Sequence, residues 1–587
     1  MKINRENRHW ILLILFSLVI RLIGLGHRAM SHDESLHALY SWNLSQGLNY
    51  QHDPMMHGPL LFHLNGLIYA LFPVNDFTSL LLPALWGTGC VALLYLFRRW
   101  LGTAGAFCAA MFISLDPGHL FYSRYLRNDI MVSFFTLLML WAILDYRETR
   151  RARSLVWLGF GLGLQFVTKE TSYILGTVFG AACVTFSALE TRADSFGAWC
   201  RRWTAHPLMH CALLLLLLAL PFAGSLLHPL LGWDPLDNRS PEGQKRIFLV
   251  AGWLWIIAGL SGVLYFKRQG KLQAFGEALS AFWMLQMLLY TTLFHNSAHG
   301  MASGLAGSLG YWLAQHEVQR GNPDPFFYVT LLLLYTPVLL AGALLSLRKF
   351  FQWPMPFFWF WALGNLLIFS WAGERMPWLL LHISLPLCLI TGTMLPPLFD
   401  APARRILKTL MALGCFQLVV NSLRLSGPLS EGALEPLVYA HSGPEVKSSL
   451  ILIEEHLQKY PGSRVRVDDN FAWPLAWYFR QSPVDYQAEI SLPVSEDISV
   501  LLIPPLREKE FQNQGWVSRM RVDMTTWPRP QYHRISLENL DSLARLPAVR
   551  RKFLRYYFFR QQPEWGENEW PVPNRYLLMT RPVGESM

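Results

Sequence analysis

The sequence predicts an α-helical polytopic membrane protein with a C-terminal α/β domain outside the bilayer, and three observations carry that reading. Hydrophobic residues make up 52% of the 587-residue chain and charged residues only 15%, and the mean hydropathy is +0.25, a balance typical of chains that bury themselves in lipid. The hydrophobic residues come in membrane-length runs with basic clusters in the gaps between them. After residue 424 the runs stop, and shorter helix-like and strand-like patterns alternate.

Taken in order, the spans fall near 10–26, 79–97, 103–121, 129–146, 154–168, 171–190, 208–224, 247–266, 275–294, 326–347, 355–371, 377–398 and 405–423, about thirteen in all. The first run continues into the chain without a small-residue cleavage site, and Lys2, Arg5 and Arg8 flank it, so it reads as a retained signal-anchor with a cytoplasmic amino terminus. The apolar segment from His57 to Phe72 is a rival for a fourteenth span. If it crossed, Arg98-Arg99, Arg147 to Arg153, Arg192 with Arg201-Arg202, Lys267-Arg268-Lys271, Arg348-Lys349 and Arg404-Arg405-Lys408 would all lie outside. Placed in the interface, it leaves every one of them cytoplasmic. The same topology explains the net charge of +10 without a nucleic-acid partner. The weakest part is 225–246, which puts Arg239, Lys245 and Arg246 outside. All seven cysteines lie in hydrophobic runs or in the cytoplasmic loop before Pro207, with no disulfide framework or CxxC metal site.

The first external loop is then 27–78, with one interfacial helix starting at Ser31 and another near Pro59. Its opening stretch, Ser31-His32-Asp33-Glu34-Ser35-Leu36-His37, places two adjacent carboxylates where a membrane helix meets water. Ionised groups at that boundary are costly without a partner or a task, which makes Asp33 and Glu34 functional candidates. A plainer role is available: Ser31 and Glu34 have capping-box spacing, and Asp33 suits a first helical turn.

The same topology gathers three more polar turns outside: Ser123-Arg124-Tyr125-Leu126-Arg127-Asn128-Asp129, Thr168-Lys169-Glu170-Thr171, and Glu374-Arg375-Met376-Pro377-Trp378. Capping, snorkelling and local ion pairing explain each turn alone. Together with Asp33 and Glu34 they suggest a site in which Arg124, Arg127, Lys169 and Arg375 bind phosphate. His57, Asp129, Glu170, Glu374 and His382 complete the candidate set. The carboxylate pair leaves a divalent metal open, and no cofactor is required by the pattern.

Residues 425–587 form the outer domain, with helical pattern at Pro444 to Tyr460 and Leu537 to Gln561 and extended pattern at Arg464 to Val467, Val500 to Ile503 and Tyr576 to Met579. The Trp-rich pieces Phe471 to Tyr478 and Trp565 to Trp570 are read as core aromatics, with a sugar- or membrane-stacking surface as the alternative.

An external site has no nucleotide supply, so a group transferred there arrives on a lipid-phosphate carrier. The site must position the donor, neutralise the phosphate and take a proton from an incoming hydroxyl or amine. The residues resemble the GT-C glycosyltransferases that use polyprenyl-phosphate sugars, including the protein O-mannosyltransferases and the aminoarabinose transferase that modifies lipid A. Asp33-Glu34 looks like the family's catalytic Asp-Glu pair, and His57-Gly58-Pro59-Leu60 looks like its His-Pro-Pro-Leu tract, with Gly58 in place of the first proline. Ser123-Arg124 with Asp129 is similar to the mannosyltransferases' Ser-Arg and Asp, and Leu164 to Thr171 resembles the tract ending in Thr-Lys. Glu170 stands where an aromatic residue often follows, a departure that bears on the donor sugar. More narrowly, Glu374 to Trp378, Ala314 to Val318 and Glu435 to Tyr439 resemble the flippase-activity-associated Agl23-like proteins.

The resemblance implies a plasma (inner) membrane enzyme that moves one sugar, with inversion, from a polyprenyl-phosphate carrier to a lipid, glycan or protein acceptor, with Asp33 as base. The alternative class is a lipid-linked-sugar flippase or transporter, which would place its charges near the bilayer midplane on broken helices. An accessory protein of envelope glycan assembly is a third reading.

Overall fold

The computed structural model describes residues 5–318, 324–400, 405–427, 435–524 and 574–581, with isolated positions at 551, 554, 555 and 557. A helix lies at each of the thirteen hydrophobic segments, from Arg5–Leu22 to Arg405–Ser426. By length and composition seven helices in the described residues can cross a membrane, or eight if Phe327–Tyr335 and Pro337–Lys349 count as one bent span. That pair bends by 100° at Thr336, because Pro337 has no amide hydrogen and forces the preceding residue out of helical geometry. The carbonyls freed by the break are satisfied. Asn421 donates to Leu334 and Tyr335, at 3.2 and 3.1 Å, and Tyr557 donates to Leu333 at 2.9 Å.

The rival fourteenth span resolves into the helix Leu60–Leu71. Twelve residues reach about 18 Å, well short of a hydrocarbon core of about 30 Å. It buries Leu60, Leu61 and Phe62 against the helix His32–Ser45, so both helices expected between the first two hydrophobic runs are present.

The C-terminal part carries a five-stranded sheet in the order β2-β1-β3-β5-β4, built from β1 (Arg464–Asp468), β2 (Val484–Gln487), β3 (Ile498–Ile503), β4 (Val517–Met524) and β5 (Asn574–Thr580). β1 is parallel to β2 and β3, whereas β5 is antiparallel to β3 and β4. All six residues of β3 are buried because it is central and packs apolar clusters on both faces. The helix Glu445–Lys459 and the three extended stretches read from the sequence are present. Trp565 to Trp570 and most of Leu537 to Gln561 lie outside the described residues.

The sheet domain docks on the helix His32–Ser45 through the short helix Ala472–Tyr478. Asp76 holds the joint: it accepts from Trp477 Nε1 at 2.9 Å and from the Tyr478 hydroxyl at 3.0 Å, and it pairs with Lys447 at 3.0 Å. Trp477 and Leu475 are buried, which gives this Trp-rich piece a packing role. Asp76→Ala strands these donors at a part-buried interface, a loss of about 1–3 kcal/mol. Faster hydrogen exchange over 472–480 in the variant is the expected result, and unchanged exchange would show that the joint does not depend on Asp76.

Candidate active site

The site starts at the N-terminus of the helix His32–Ser45. Ser31 and Glu34 form the capping box expected from their spacing. Glu34 is fully buried and spends both oxygens locally: one accepts from the Ser31 amide at 3.0 Å, the other from Arg28 at 2.7 Å and the Leu126 amide at 3.3 Å. Asp33, one residue earlier, faces the other way and binds Arg127. The adjacent carboxylates therefore have separate partners. Burial alone would raise the Asp33 carboxyl, but Arg127 and the His32 ring override it and hold it down to about 2.

Arg127 is the centre of the cluster. Its guanidinium lies over the Trp378 ring, 3.3 Å from the centroid. One terminal nitrogen meets Asp33, the other is 3.3 Å from His57 Nε2, and Nε is 3.4 Å from Asp129. Asp129 also takes Lys169 Nζ on both oxygens, at 2.8 and 2.9 Å, and lies 3.3 Å from His382 Nε2. Three separated polar turns thus close on one point.

His57 is placed by its backbone. Its φ of 66° lies in a region that non-glycine residues seldom occupy, a strain held only where surrounding contacts over-determine it. Those contacts are present: His52 Nε2 donates to the His57 carbonyl at 3.1 Å, and His52 Nδ1 accepts from Ser303 at 2.8 Å. Gly58 donates its amide to Thr168 at 3.1 Å, and a Cβ there would meet the Val167 carbonyl at 2.4 Å. A proline would lose that hydrogen bond and clash, so glycine suits this chain's version of the tract. The His57 ring stacks on Trp312, 5.0 Å between centroids and 12° between planes.

Because Arg127 only donates, His57 Nε2 accepts and Nδ1–H points to Glu170 Oε2 at 2.7 Å. Burial, reinforced by Lys169 and Arg127, holds the imidazole well below its usual range and keeps it neutral. Burial pushes Glu170 up to about 8. A cavity of about 150 Å³ opens beside this pair, lined by His57, Lys169, Glu170, Trp312, Glu374 and Trp378 among others. Its polar lining can hold hydroxyl groups while the indoles supply flat walls.

The structure thus brings together Asp33, His57, Arg127, Asp129, Lys169, Glu170 and His382, with Glu374 on the cavity wall. It places Arg124 elsewhere: one of its nitrogens donates to the carbonyls of Ile20, Arg21 and Ile23, at 3.1, 2.9 and 2.6 Å, closing the end of the first helix. Arg375 Nε donates to the Ser370 carbonyl at 2.7 Å, near the end of Met355–Trp371. Among the described residues no three His, Cys, Asp or Glu side chains converge as a metal site, and Asp33 and Glu34 face different guanidinium groups. The pair does not fit a shared divalent ion. Sequence reasoning missed Arg28, His52, Trp312 and Trp378. The last lay inside a tract already singled out, but nothing in a chain with 24 tryptophans distinguishes a stacking ring from a packing one.

Residues 56–224 match the family model described as dolichyl-phosphate-mannose-protein mannosyltransferase. No curated protein matches the chain. Among solved structures, the chain is similar to the archaeal oligosaccharyltransferase AglB from Archaeoglobus fulgidus in complex with an inhibitory peptide and a dolichol-phosphate, at 12% identity and a TM-score of 0.49, covering 98% of this chain and 88% of that one. It is also similar to ArnT from Cupriavidus metallidurans bound to undecaprenyl phosphate, at 14% identity and a TM-score of 0.38, covering 88% and 96%. A third is the S. cerevisiae protein O-mannosyltransferase Pmt1-Pmt2 complex bound to the sugar donor, at 21% identity and a TM-score of 0.31, covering 37% and 33%.

The Glu170 carboxyl binds its proton more tightly folded than unfolded, since its value rises from 4.5 to about 8. Between those values the folded state holds the extra proton, so Glu170 makes stability fall as pH rises through that window. Glu170→Gln removes this contribution and should flatten the dependence of Tm on pH there. An equal slope in both proteins would contradict a protonated Glu170.

Proposed function

We propose that the protein is a membrane glycosyltransferase of the GT-C kind, which moves a sugar from a polyprenyl-phosphate carrier to an acceptor at the extracytoplasmic face with inversion. One observation carries the proposal: a guanidinium flat on Trp378 joins Asp33 on one side to the His57–Glu170–Lys169 cavity on the other. A base and a phosphate-neutralising cation are thereby separated by a single side chain. The family match over 56–224 covers the segment that supplies His57, Arg127, Asp129, Lys169 and Glu170, and it favours a polyprenyl-phosphate mannose-like donor. The finer likeness to the Agl23-like proteins rests on the three short tracts quoted above.

In this reading the donor sugar enters the cavity with its phosphate at Lys169 and Arg127. The acceptor approaches Asp33 from the side of His32. As the acceptor oxygen bonds to the anomeric carbon, the carbon–oxygen bond to phosphate breaks, and the polyprenyl phosphate leaves with that electron pair. The acceptor proton passes to Asp33. A carboxylate held near 2 is fully ionised at neutral pH but a weak base, so proton transfer comes late, when the leaving phosphate has drawn charge from the acceptor oxygen. Lys169 and Arg127, already oriented by Asp129, meet that phosphate without reorganising.

About thirteen crossings, the number of hydrophobic segments in the sequence, taken from a cytoplasmic amino terminus would put these turns and the sheet domain on the same outer face, with residue 424 as the domain boundary. The flippase reading is less favoured, since the clustered charges sit at helix ends, Asp33 and Asp129 in first turns and Lys169-Glu170 between two helices, rather than along a broken helix.

The test is sugar transfer by purified protein from polyprenyl-phosphate sugars to envelope acceptors. Asp33→Asn should lower transfer by about 100-fold or more at matched amounts of folded protein, and should also lower Tm, because Arg127 loses a carboxylate partner where it is nearly excluded from water. Glu34→Gln should lower Tm, since it weakens the capping box and leaves Arg28 without its carboxylate. Near-normal transfer by Asp33→Asn would exclude Asp33 as the base.

A further inference from the structure

Residues 191–206 join two helices that are each able to cross a membrane, Thr171–Glu190 and Pro207–Leu231. Within this connector lies a third helix, Phe196–Thr204, capped by Ser195 and with no buried residue. Its composition is strongly two-sided. At 100° per residue Phe196, Trp199, Cys200 and Trp203 fall on one stripe, and Arg201 and Arg202 fall on the opposite face. The aromatic rings stack along the stripe: Phe196 on Trp199 at 6.2 Å and 14°, and Trp199 on Trp203 at 4.8 Å and 24°. Phe196 is 79% exposed, and Leu189, at the end of the preceding helix, is 71% exposed.

The helix is fixed in place. Trp203 Nε1 donates to Ser187 at 2.9 Å, the Tyr265 hydroxyl to the Thr204 carbonyl at 2.5 Å, and Arg150 to the Ala205 carbonyl at 3.4 Å. Lys271 in turn donates to the Arg150 carbonyl at 3.1 Å. These bonds gather Arg150, Lys271, Arg201, Arg202 and Arg192 around one aromatic ridge, with Arg202 donating to the Arg192 carbonyl at 2.8 Å. Two acids lie close by: Glu190 is already engaged by Arg147 and His206, and Asp194, exposed just before the cap, leaves the connector 191–206 with Arg192, Arg201 and Arg202 in excess.

We propose that Phe196–Thr204 and its surrounding basic residues bind the anionic headgroups of the adjacent bilayer leaflet. A connector tied at both ends to membrane-spanning helices keeps the ridge at headgroup depth, where the aromatic stripe meets lipid and the long arginine side chains of the other face reach back to headgroup phosphates. The cations supply selectivity: each basic side chain near an anionic surface strengthens its attachment, and the effect fades with salt. This site is separate from the Arg127 cluster and does not rest on the transferase reading.

The experiment is hydrogen exchange of the full chain in nanodiscs of phosphatidylcholine alone and of phosphatidylcholine with phosphatidylglycerol. Exchange over 196–205 should slow by about 30-fold in the anionic discs if two arginines contribute fully, while 129–149 serves as the unchanged control. High salt should remove the difference, and so should Arg201→Gln with Arg202→Gln, whose exposed positions leave the fold intact. Phe196→Ser should speed exchange in both lipids. Equal exchange of the wild-type segment in the two discs overturns the proposal, and so does a difference that survives both arginine substitutions. Poly-glutamate added to phosphatidylcholine discs should have no effect. If it protects the segment as well as phosphatidylglycerol does, the partner is an acidic polypeptide and the bilayer assignment falls.

Discussion

A guanidinium that is nearly excluded from water needs compensation from every side, and the candidate site is arranged around that need. The Arg127 side chain is 6% exposed. An isolated charge at such a position costs several kcal/mol, so its partners are conditions of the fold as much as features of a site. Asp33, Asp129, His57 and the Trp378 face meet that requirement from four directions. Each partner comes from a different segment. The helix His32–Ser45, the turn at His57, the turn before Asp129 and the turn before the helix Leu380–Asp400 are thereby fixed relative to one another. Lys169 adds a second cation on Asp129, which makes the lattice alternate in sign and resist rearrangement.

The same lattice explains why the two adjacent carboxylates differ. Glu34 points into the helix cap and the Arg28 pair, where it is fully buried and structurally committed. Asp33 keeps 18% of its side chain exposed while remaining ionised beside Arg127. A base must be reachable, and only one of the two is. The strained His57 backbone belongs to this economy of contacts as well, since His52, Gly58 and Trp312 hold the ring where it can accept from Arg127 without carrying charge.

Much of the architecture was legible because lipid imposes simple rules. Membrane-length hydrophobic runs, basic clusters and one over-short apolar segment located the helices, including Leu60–Leu71. The three extended stretches of the sheet domain were equally readable, because Arg464 to Val467, Val500 to Ile503 and Tyr576 to Met579 carry β-branched or apolar residues. β2 and β4 were not, since Val484–Gln487 and Val517–Met524 are polar edge strands whose pattern resembles loop. In the candidate site, residue type and sidedness identified the charged turns. They did not separate Arg127, which faces inward, from Arg124, three residues earlier, which closes a helix end. Such a difference depends on side-chain direction after the turn has folded, and no spacing in the sequence encodes it. The tryptophans were hidden for another reason: an indole that stacks on a cation and one that fills a core have the same local sequence preferences.

The central claim is that a lipid-linked phosphate docks against the Arg127–Lys169 side of this lattice. The most direct measurement is a structure of the full chain with bound polyprenyl phosphate. The account predicts phosphate oxygens within hydrogen-bond distance of Lys169 or Arg127, beside the Trp378 face and next to the cavity lined by Glu170 and Trp312. A phosphate held at Arg124 or on the opposite membrane face, with the Arg127–Asp33 contact undisturbed and the cavity empty, would contradict it.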